Sequence, residues 1–450
     1  MIKRGIFKAN DIRGITEGTD PEWDSAGAYA IGAMAVDVLD LHTAGALVVG
    51  RDMRVSGPRM AGAFIDGVLS QGVDVIDIGL SSTDQLWFAS GRLDLPGAMF
   101  TASHNPAEYN GIKFCLAAAK PITSANLAEI ADRASKAEPT PAATPGKRTE
   151  RDVLSAYADH LHSLVDLTGI RRLRVVADAG NGMAGYTLPA ALGRDDLELI
   201  GLFTELDGSF PNHPPNPLEP ENLIDAQAAV RANAADLALV FDGDADRCFI
   251  IDERGKVVNP SVVTAMIAAQ ELAREPGAVI VCNKITSRVV AEVVRAAGGK
   301  IVISKVGHTF VKAAMAEHDA IFGGEHSAHY YFRDFWGADT GMLAALHVLA
   351  AVGHSDQPLS ELVSRFERYA NSGEINSRVA DQQMIMDRVA AAFAGRGEQD
   401  RLDGLTVSGP DWWVNVRPSN TEPLLRLNVE ASNSETMEAL RDETLGLIRA

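Results

Sequence analysis

Cysteine is scarce in this chain: Cys115, Cys248 and Cys282 are the only three in 450 residues, and no two of them stand in a CxxC spacing. That scatter speaks against a disulfide framework and against a structural zinc, and it fits a reducing compartment. Positive charge is also in short supply, with 41 Lys and Arg against 60 Asp and Glu and a net charge of −19. Such a chain is a poor partner for a nucleic-acid backbone or an anionic membrane, and an anionic small molecule would need a locally basic site. Long apolar runs are missing as well. The segment MIKRGIFKANDIRG has no continuous apolar stretch, and the most apolar later run, 341–353, contains His347 and is too short to span a bilayer. A cytoplasmic protein, neither exported nor membrane-inserted, is expected.

What the chain does have is bulk and repetition. At 450 residues, 46% of them hydrophobic, it is too large for one core and calls for about three or four domains. Three times over, an apolar or β-branched run is followed by a polar loop, a helix-period segment and a second apolar run. The copies begin at ALVVG (46–50), RVVAD (174–178) and AVIVCN (278–283), and their second runs are 73–80, 197–203 and 300–306. Each reads as a βαβ unit. A third apolar run follows in every copy, and unusual residues gather just after it: TASHNP, DGDADR and EHSAH. Open α/β sheets bind ligands beyond the carboxyl ends of their strands, so these loops are expected to share one cleft. The last eighty or so residues lack the repeat and read as two amphipathic helices with short strands. The expectation is α/β: three similar α/β domains with mixed sheets (1–150, 151–254, 255–368) and a smaller C-terminal α+β domain (369–450) around a central cleft.

Four loops carry chemistry. In VFDGDADR, Asp242, Asp244 and Asp246 alternate, and in an extended loop such residues point the same way. Three hard oxygen ligands suit Mg²⁺ or Ca²⁺. An EF-hand would use Asp242, Asp244, Asp246 and Glu253, but it needs glycine where Arg247 stands, and the flanks LALV and CFII read as strands. TASHNP offers the Ser103 hydroxyl with His104 beside it and Lys113 in the next strand: nucleophile, base and positive charge, as a phosphoryl acceptor requires. GGEHSAH presents Glu325 and Ser327, suited to vicinal sugar hydroxyls, and His329, able to transfer a proton near neutral pH. RPSNTEP sets the Arg417 fork among Ser419, Asn420 and Thr421, an equipment for gripping phosphate.

Taken in order, TASHNP, DGDADR, GEHSAH and RPSNTEP resemble the α-D-phosphohexomutases, especially the phosphomannomutase/phosphoglucomutase branch. The resemblance runs over essentially the whole chain and includes FKANDIRG and VGHTF. It implies interconversion of hexose 6-phosphate and hexose 1-phosphate, of mannose or glucose, through a phosphoserine at Ser103 and a hexose 1,6-bisphosphate intermediate that also serves as activator. It further implies one Mg²⁺ held by Asp242, Asp244 and Asp246 with an oxygen on Ser103. Lys113 and His329 resemble the residues beside the reacting group, Arg13 and Arg247 add positive charge, and Lys284 and His308 look like ligand contacts. Glu325 and Ser327 would read sugar hydroxyls, while the 417–421 loop would hold the phosphate that is not transferred. Small-molecule hexose phosphates are then the partners, and a monomer or weak dimer is expected.

Two departures bear on sugar choice. Ala328 stands where many relatives have glycine, and Asn10 where several phosphomannomutases have tyrosine. Mannose, glucose and glucosamine phosphates all stay open at this point. Two other readings compete. A haloacid-dehalogenase-type phosphatase would use Asp242 as nucleophile but leaves TASHNP and RPSNTEP unexplained, and a non-catalytic calcium or phosphosugar binder would not require Ser103.

Overall fold

The computed structural model describes residues 1–136, 139–419 and 424–450. The chain divides into two compact units, Met1–Val263 with Ser327–Leu362, and Thr264–His326 with Val363–Ala450.

All three repeats fold as strand, helix and strand. In the first, strands Ala46–Arg51 and Asp74–Leu80 flank the helix Gly57–Ser70, and strand Gly97–Phe100 follows. The last of these lies parallel to Ala46–Arg51 on the side away from Asp74–Leu80, so the order in the sheet is second, first, third. The second repeat has the same order: Leu197–Leu202, Leu173–Asp178, Leu237–Phe241, all parallel. In the second unit, Lys300–Ser304, Val279–Asn283 and Phe322–Gly324 repeat it once more. Strand order therefore reverses in each repeat between the first and third strands, the place where an open α/β sheet leaves a crevice beyond its strand ends. TASHNP, DGDADR and EHSAH all issue from the third strand.

Antiparallel additions make the sheets mixed, as the sequence predicts. Tyr109–Leu116 runs back along Gly97–Phe100 and pairs in turn with Ile12–Ile15, while Cys248–Asp252 runs back along Leu237–Phe241. Strands Gly97–Phe100 and Leu237–Phe241 are buried at every position, which explains their continuous apolar sequences. The C-terminal sheet is wholly antiparallel and is built on Leu405–Ser408, Trp412–Pro418 and Leu424–Ala431. The helices Gln382–Ala392 and Ser434–Arg449 pack Ile385, Val389, Phe393, Leu440 and Ile448 onto its apolar face. Among the described residues no helix is long and apolar enough to cross a membrane.

Helix starts are set by side chains that take up the otherwise unpaired first N–H groups. Ser82 and Gln85 form a reciprocal capping box at the helix Thr83–Leu93, and Thr340 caps Gly341–Gly353. Both caps sit beside Asp84, a buried carboxyl that accepts from Tyr157 Oη at 2.6 Å and Thr340 Oγ1 at 2.7 Å. Burial raises its pKa to about 6 against the opposing hydrogen bonds.

The helices Ser25–Val38 and Gly57–Ser70 cross closely around Phe64 because two glycines let them. A Cβ at Gly67 would stand 2.1 Å from the Tyr29 carbonyl oxygen, and one at Gly32 would stand 2.2 Å from that of Phe64. Both obstacles are backbone and cannot step aside cheaply. Gly67→Ala is therefore expected to cost about 1–3 kcal/mol, read as a lowered midpoint of the thermal transition that reports the N-terminal domain. An unchanged midpoint would show that the two helices can move apart freely.

Candidate active site

The site in the first unit is assembled from strand ends. Gly97–Phe100 delivers the Ser103 loop, Leu237–Phe241 delivers the aspartate loop, and Tyr109–Leu116 carries Lys113. Ser103 is buried, with a φ of +48° and its N–H donated to Thr101 Oγ1 at 2.9 Å. Its hydroxyl donates to Asp242 Oδ2 at 2.8 Å. The backbones approach closely here, since a Cβ at Gly243 would come within 2.5 Å of the Ser103 carbonyl oxygen. Glycine at that position is a steric requirement.

Asp242, Asp244 and Asp246 converge, each offering a carboxylate oxygen within 4.8 Å of the others, and all three are buried. The route differs from the extended alternation the spacing suggests. The segment turns tightly, with Ala245 at φ +60°, and the turn rather than strand periodicity brings the carboxylates together. The EF-hand arrangement is absent: Glu253 turns away and accepts from the Ser360 hydroxyl at 2.5 Å, and strands flank the loop.

Two cations face the three carboxylates. Lys113 Nζ donates to Asp244 Oδ2 at 2.7 Å and to Asp246 Oδ2. Arg247 sets Nε at 2.9 Å and Nη2 at 2.8 Å from Asp242 Oδ2. Burial lifts the Asp242 carboxyl well above the ordinary carboxylate range, further than Arg247 can pull it down. Burial pushes Asp244 the same way, but the Lys113 charge, with hydrogen bonds from Lys113 and Thr83, holds it far below that range. Desolvation would lower the Lys113 ammonium, and Asp244 and Asp246 more than reverse it. Asp242 is thus committed to Arg247 and Ser103, a geometry that does not favour its use as a phosphatase nucleophile.

His104 is differently placed from what a simple Ser–His base would require. Arg247 Nη2 donates to its Nδ1 at 2.7 Å, so that nitrogen is an acceptor and the ring proton sits on Nε2. Burial and the Arg247 charge keep its pKa well below the usual histidine value, so the ring is neutral. Ser103 Oγ lies 3.3 Å from the same Nδ1, a longer contact than its bond to Asp242. Arg13 reaches the loop from the strand Ile12–Ile15, donating to Asn105 Oδ1 at 2.7 Å. His329 bridges to Arg247 through the backbone, its Nδ1 lies 2.9 Å from Ser327 Oγ, and its Nε2 is 3.8 Å from Asp246 Oδ1.

The donor set suits a hard divalent cation such as Mg²⁺. Asp244 Oδ1 and Asp246 Oδ1 are buried and accept no hydrogen bond among the described residues, so two carboxylate oxygens are available inside the cluster.

The remaining sequence-predicted residues lie in the second unit. Lys284 follows the strand Val279–Asn283 and forms an ion pair with Asp400. Glu325 is buried and accepts at Oε1 from Asn283 Nδ2 at 2.9 Å and from the Gly307 N–H at 3.0 Å. His308 opens the helix His308–His318. Arg417 is on the strand Trp412–Pro418 rather than in a loop, and it pairs with Glu374, which also holds Arg426 at 3.1 Å. Ser419 follows that strand and is described, whereas Asn420 and Thr421 lie outside the described residues.

Several residues escaped the sequence reading. Thr83 donates its hydroxyl to Asp244 Oδ2 at 2.5 Å, and Asp339 offers an oxygen that clusters with Asp246 and His329. Neither has a local signal, because each reaches the site from a distant segment. Asn283 ends the first strand of the third repeat and Arg54 lies just beyond the first strand of the first repeat, so the strand-end logic applied to third strands would have found them.

Comparison with known proteins agrees with the resemblance in the motifs. Family models for phosphoglucomutase/phosphomannomutase match as alpha/beta/alpha domain I at residues 4–140, domain II at 155–255, domain III at 260–369 and the C-terminal domain at 374–447. A phosphomannomutase of Salmonella typhimurium is 39% identical over 457 aligned positions, covering 99% of each chain. A protein of Xanthomonas campestris named for phosphohexose mutases is 38% identical, over 98% of this chain and 99% of its own. A crystal structure of a phosphoglucomutase/phosphomannomutase family protein from Burkholderia thailandensis superposes with a TM-score of 0.91 at 32% identity, covering 100% of this chain and 98% of that one. With four domain matches in order and full-length relatives at this identity, the chain belongs to the phosphoglucomutase/phosphomannomutase family and is a mutase-type phosphotransferase.

Proposed function

We propose that this enzyme interconverts hexose 6-phosphate and hexose 1-phosphate, of mannose or glucose, through a phosphoserine at Ser103 and a hexose 1,6-bisphosphate intermediate. The observation that carries the reading is the Ser103 hydroxyl, buried and donated to Asp242 at 2.8 Å inside a cluster of three carboxylates and two cations. The names of the relatives, phosphomannomutase and phosphohexose mutases, support the substrate class.

Asp242, Asp244 and Asp246 would hold Mg²⁺, whose charge, when bound, offsets the negative charge of a phosphoryl group in transfer. The chain's own residues do the rest. In one half-reaction the phosphorus–oxygen bond on Ser103 breaks as a bond to a sugar hydroxyl forms; the return half-reaction, at the other end of the turned sugar, restores phosphoserine. Lys113 and Arg247 set fixed positive charge beside the equatorial oxygens, and Arg13 adds to it from the neighbouring strand. His329, with Nδ1 on Ser327, is suited to exchange the sugar hydroxyl's proton at Nε2. His104, held neutral, offers Nε2–H as a donor rather than acting as base. Glu325 and Ser327 would read hydroxyls that mannose and glucose share, with Lys284 and His308 as further contacts. Arg417 and Ser419, with Asn420 and Thr421 of the same segment, would grip the phosphate that stays. Lys284 and Arg417 already carry carboxylate partners, Asp400 and Glu374, so a phosphate arriving there exchanges one anion for another.

Three substitutions test the reading. Ser103→Ala removes a small hydroxyl, so folding and sugar-phosphate binding should persist while turnover falls by about 10⁴-fold or more. Wild-type turnover in that variant excludes the serine route. Asp244→Asn keeps the shape and removes one anion, and the Mg²⁺ concentration for half-maximal activity should rise about tenfold or more, as read by metal titration. Better turnover with calcium than with magnesium overturns the metal assignment. Arg417→Lys keeps the charge but loses the planar fork, so KM for hexose phosphates should rise by about tenfold while Ser103 still takes up phosphate. An unchanged KM for mannose and glucose phosphates removes Arg417 from the phosphate grip.

A further inference from the structure

Ser103 sits at φ +48°, in the left-handed region that L residues with a Cβ avoid. A conformation of this kind persists only where the surroundings impose it. Here a single side chain does much of that. Arg54, just beyond the strand Ala46–Arg51 and fully buried, donates from Nη2 to the carbonyl oxygens of Ser103 at 2.8 Å and Asn105 at 2.7 Å. From Nη1 it donates to the carbonyls of Pro106 at 2.7 Å and Tyr109 at 3.0 Å. Both terminal nitrogens are therefore spent on one segment, 103–109. Only a planar guanidinium presents that many fixed donors at once. The charge is balanced by Asp52, equally buried, whose Oδ2 lies 3.3 Å from Arg54 Nε.

A second segment closes on Arg54. The Phe210 ring lies under the guanidinium, 5.1 Å from Cζ to its centroid. Gly208 seats the same loop against the Arg54 backbone, where a Cβ would come within 2.6 Å of the Arg54 Cα. Pro215, further along, packs 3.3 Å from the position of a Cβ on Gly243, which in turn abuts the Ser103 carbonyl. The stretch LDGSFPNHPP thus backs the nucleophile loop at two points, through Arg54 and through Gly243. None of these residues has a role in the chemistry described above.

We propose that Arg54 is a positioning residue for phosphoryl transfer: it gathers the carbonyls of 103–109 so that Ser103 Oγ stays aimed at Asp242, and Phe210 holds its guanidinium in place. Arg54 touches no reacting atom, and the inference rests on Ser103 being the phosphorylated serine. A nucleophile displaced by about 1 Å loses about 10²-fold in rate without losing substrate affinity.

The test measures, in one set of preparations, the single-turnover rate of Ser103 phosphorylation by glucose 1,6-bisphosphate, followed by intact mass. Steady-state kcat and KM and the thermal midpoint are taken alongside. Arg54→Lys retains a cation facing Asp52 but cannot reach four carbonyls. It should slow phosphorylation and kcat by about 100-fold, with KM within about threefold of wild type. Phe210→Leu leaves the guanidinium intact and should slow both by about tenfold. Folded variants whose phosphorylation rate and kcat stay within about threefold of wild type overturn the proposal, as does a change confined to KM. If Arg54→Lys does not fold, Phe210→Leu decides alone: a slowed rate at unchanged KM supports positioning, and an unchanged rate refutes it. Wild type separates the two readings. No phosphate on wild-type Ser103 sinks the phosphoserine reading and this one with it, whereas a phosphorylated wild type beside unaffected variants sinks only the role of Arg54.

Discussion

Burying three carboxylates together is the constraint around which the first unit is organised. Asp242, Asp244 and Asp246 have almost no access to water, and charges so placed are strongly destabilising unless paired. Lys113 and Arg247 supply the pairing, one from a returning strand of the first sheet and one from the end of the aspartate loop itself. Two cations face three carboxylates, and two of the carboxylate oxygens accept no hydrogen bond among the described residues. Those oxygens are what a divalent cation would engage. Losing either cation alone would strand a buried carboxylate, a change that costs about 3–5 kcal/mol in comparable pairs.

The same constraint explains the glycines and turns of the site. For a serine on one sheet to reach an aspartate on another, the two backbones have to touch, and Gly243 permits that contact against the Ser103 carbonyl. Gly341 does the same beside Arg247, whose carbonyl carbon would be 2.6 Å from an added Cβ. The loops are held from behind by buried polar groups outside the reacting set, such as Asp84 in the first turn of the helix that begins at Thr83, and Arg54 under the serine loop. Rigid scaffold and reactive tip are thus divided between different residues, which is how a loop can be geometrically definite.

The second unit treats charge in another way. Lys284 and Arg417 are each paired with a carboxylate close to the surface of their domain, Asp400 and Glu374, rather than locked among several anions. Glu374 serves Arg417 and Arg426 together, so a phosphate that displaced it would meet two guanidinium groups. Such pairing fits the phosphate-binding role proposed for Lys284 and Arg417, in which a phosphate would take the place of the carboxylate.

Much of this was legible in the chain. The three βαβ repeats were readable because fully buried strands need unbroken apolar runs and their crossover helices need a 3.6-residue period, and neither requirement depends on distant residues. The loops after the third strands stood out because Asp, Ser, His and Glu are costly next to such runs unless they are used. The aspartate cluster was found for a partly mistaken reason: alternation suggested convergence, but the turn at Ala245 produces it. The pairing of Ser103 with Asp242, the neutral state of His104 set by Arg247, the reach of Thr83 to Asp244 and the grip of Arg54 on four carbonyls were not readable. What the sequence by itself determined was which local segments would be strands, helices and chemically armed loops, since periodicity and residue type act over a few residues. Only the tertiary structure decided which of those groups meet, and with them the protonation states, because hydrogen bonds and desolvation are settled by atoms brought together from positions more than a hundred residues apart.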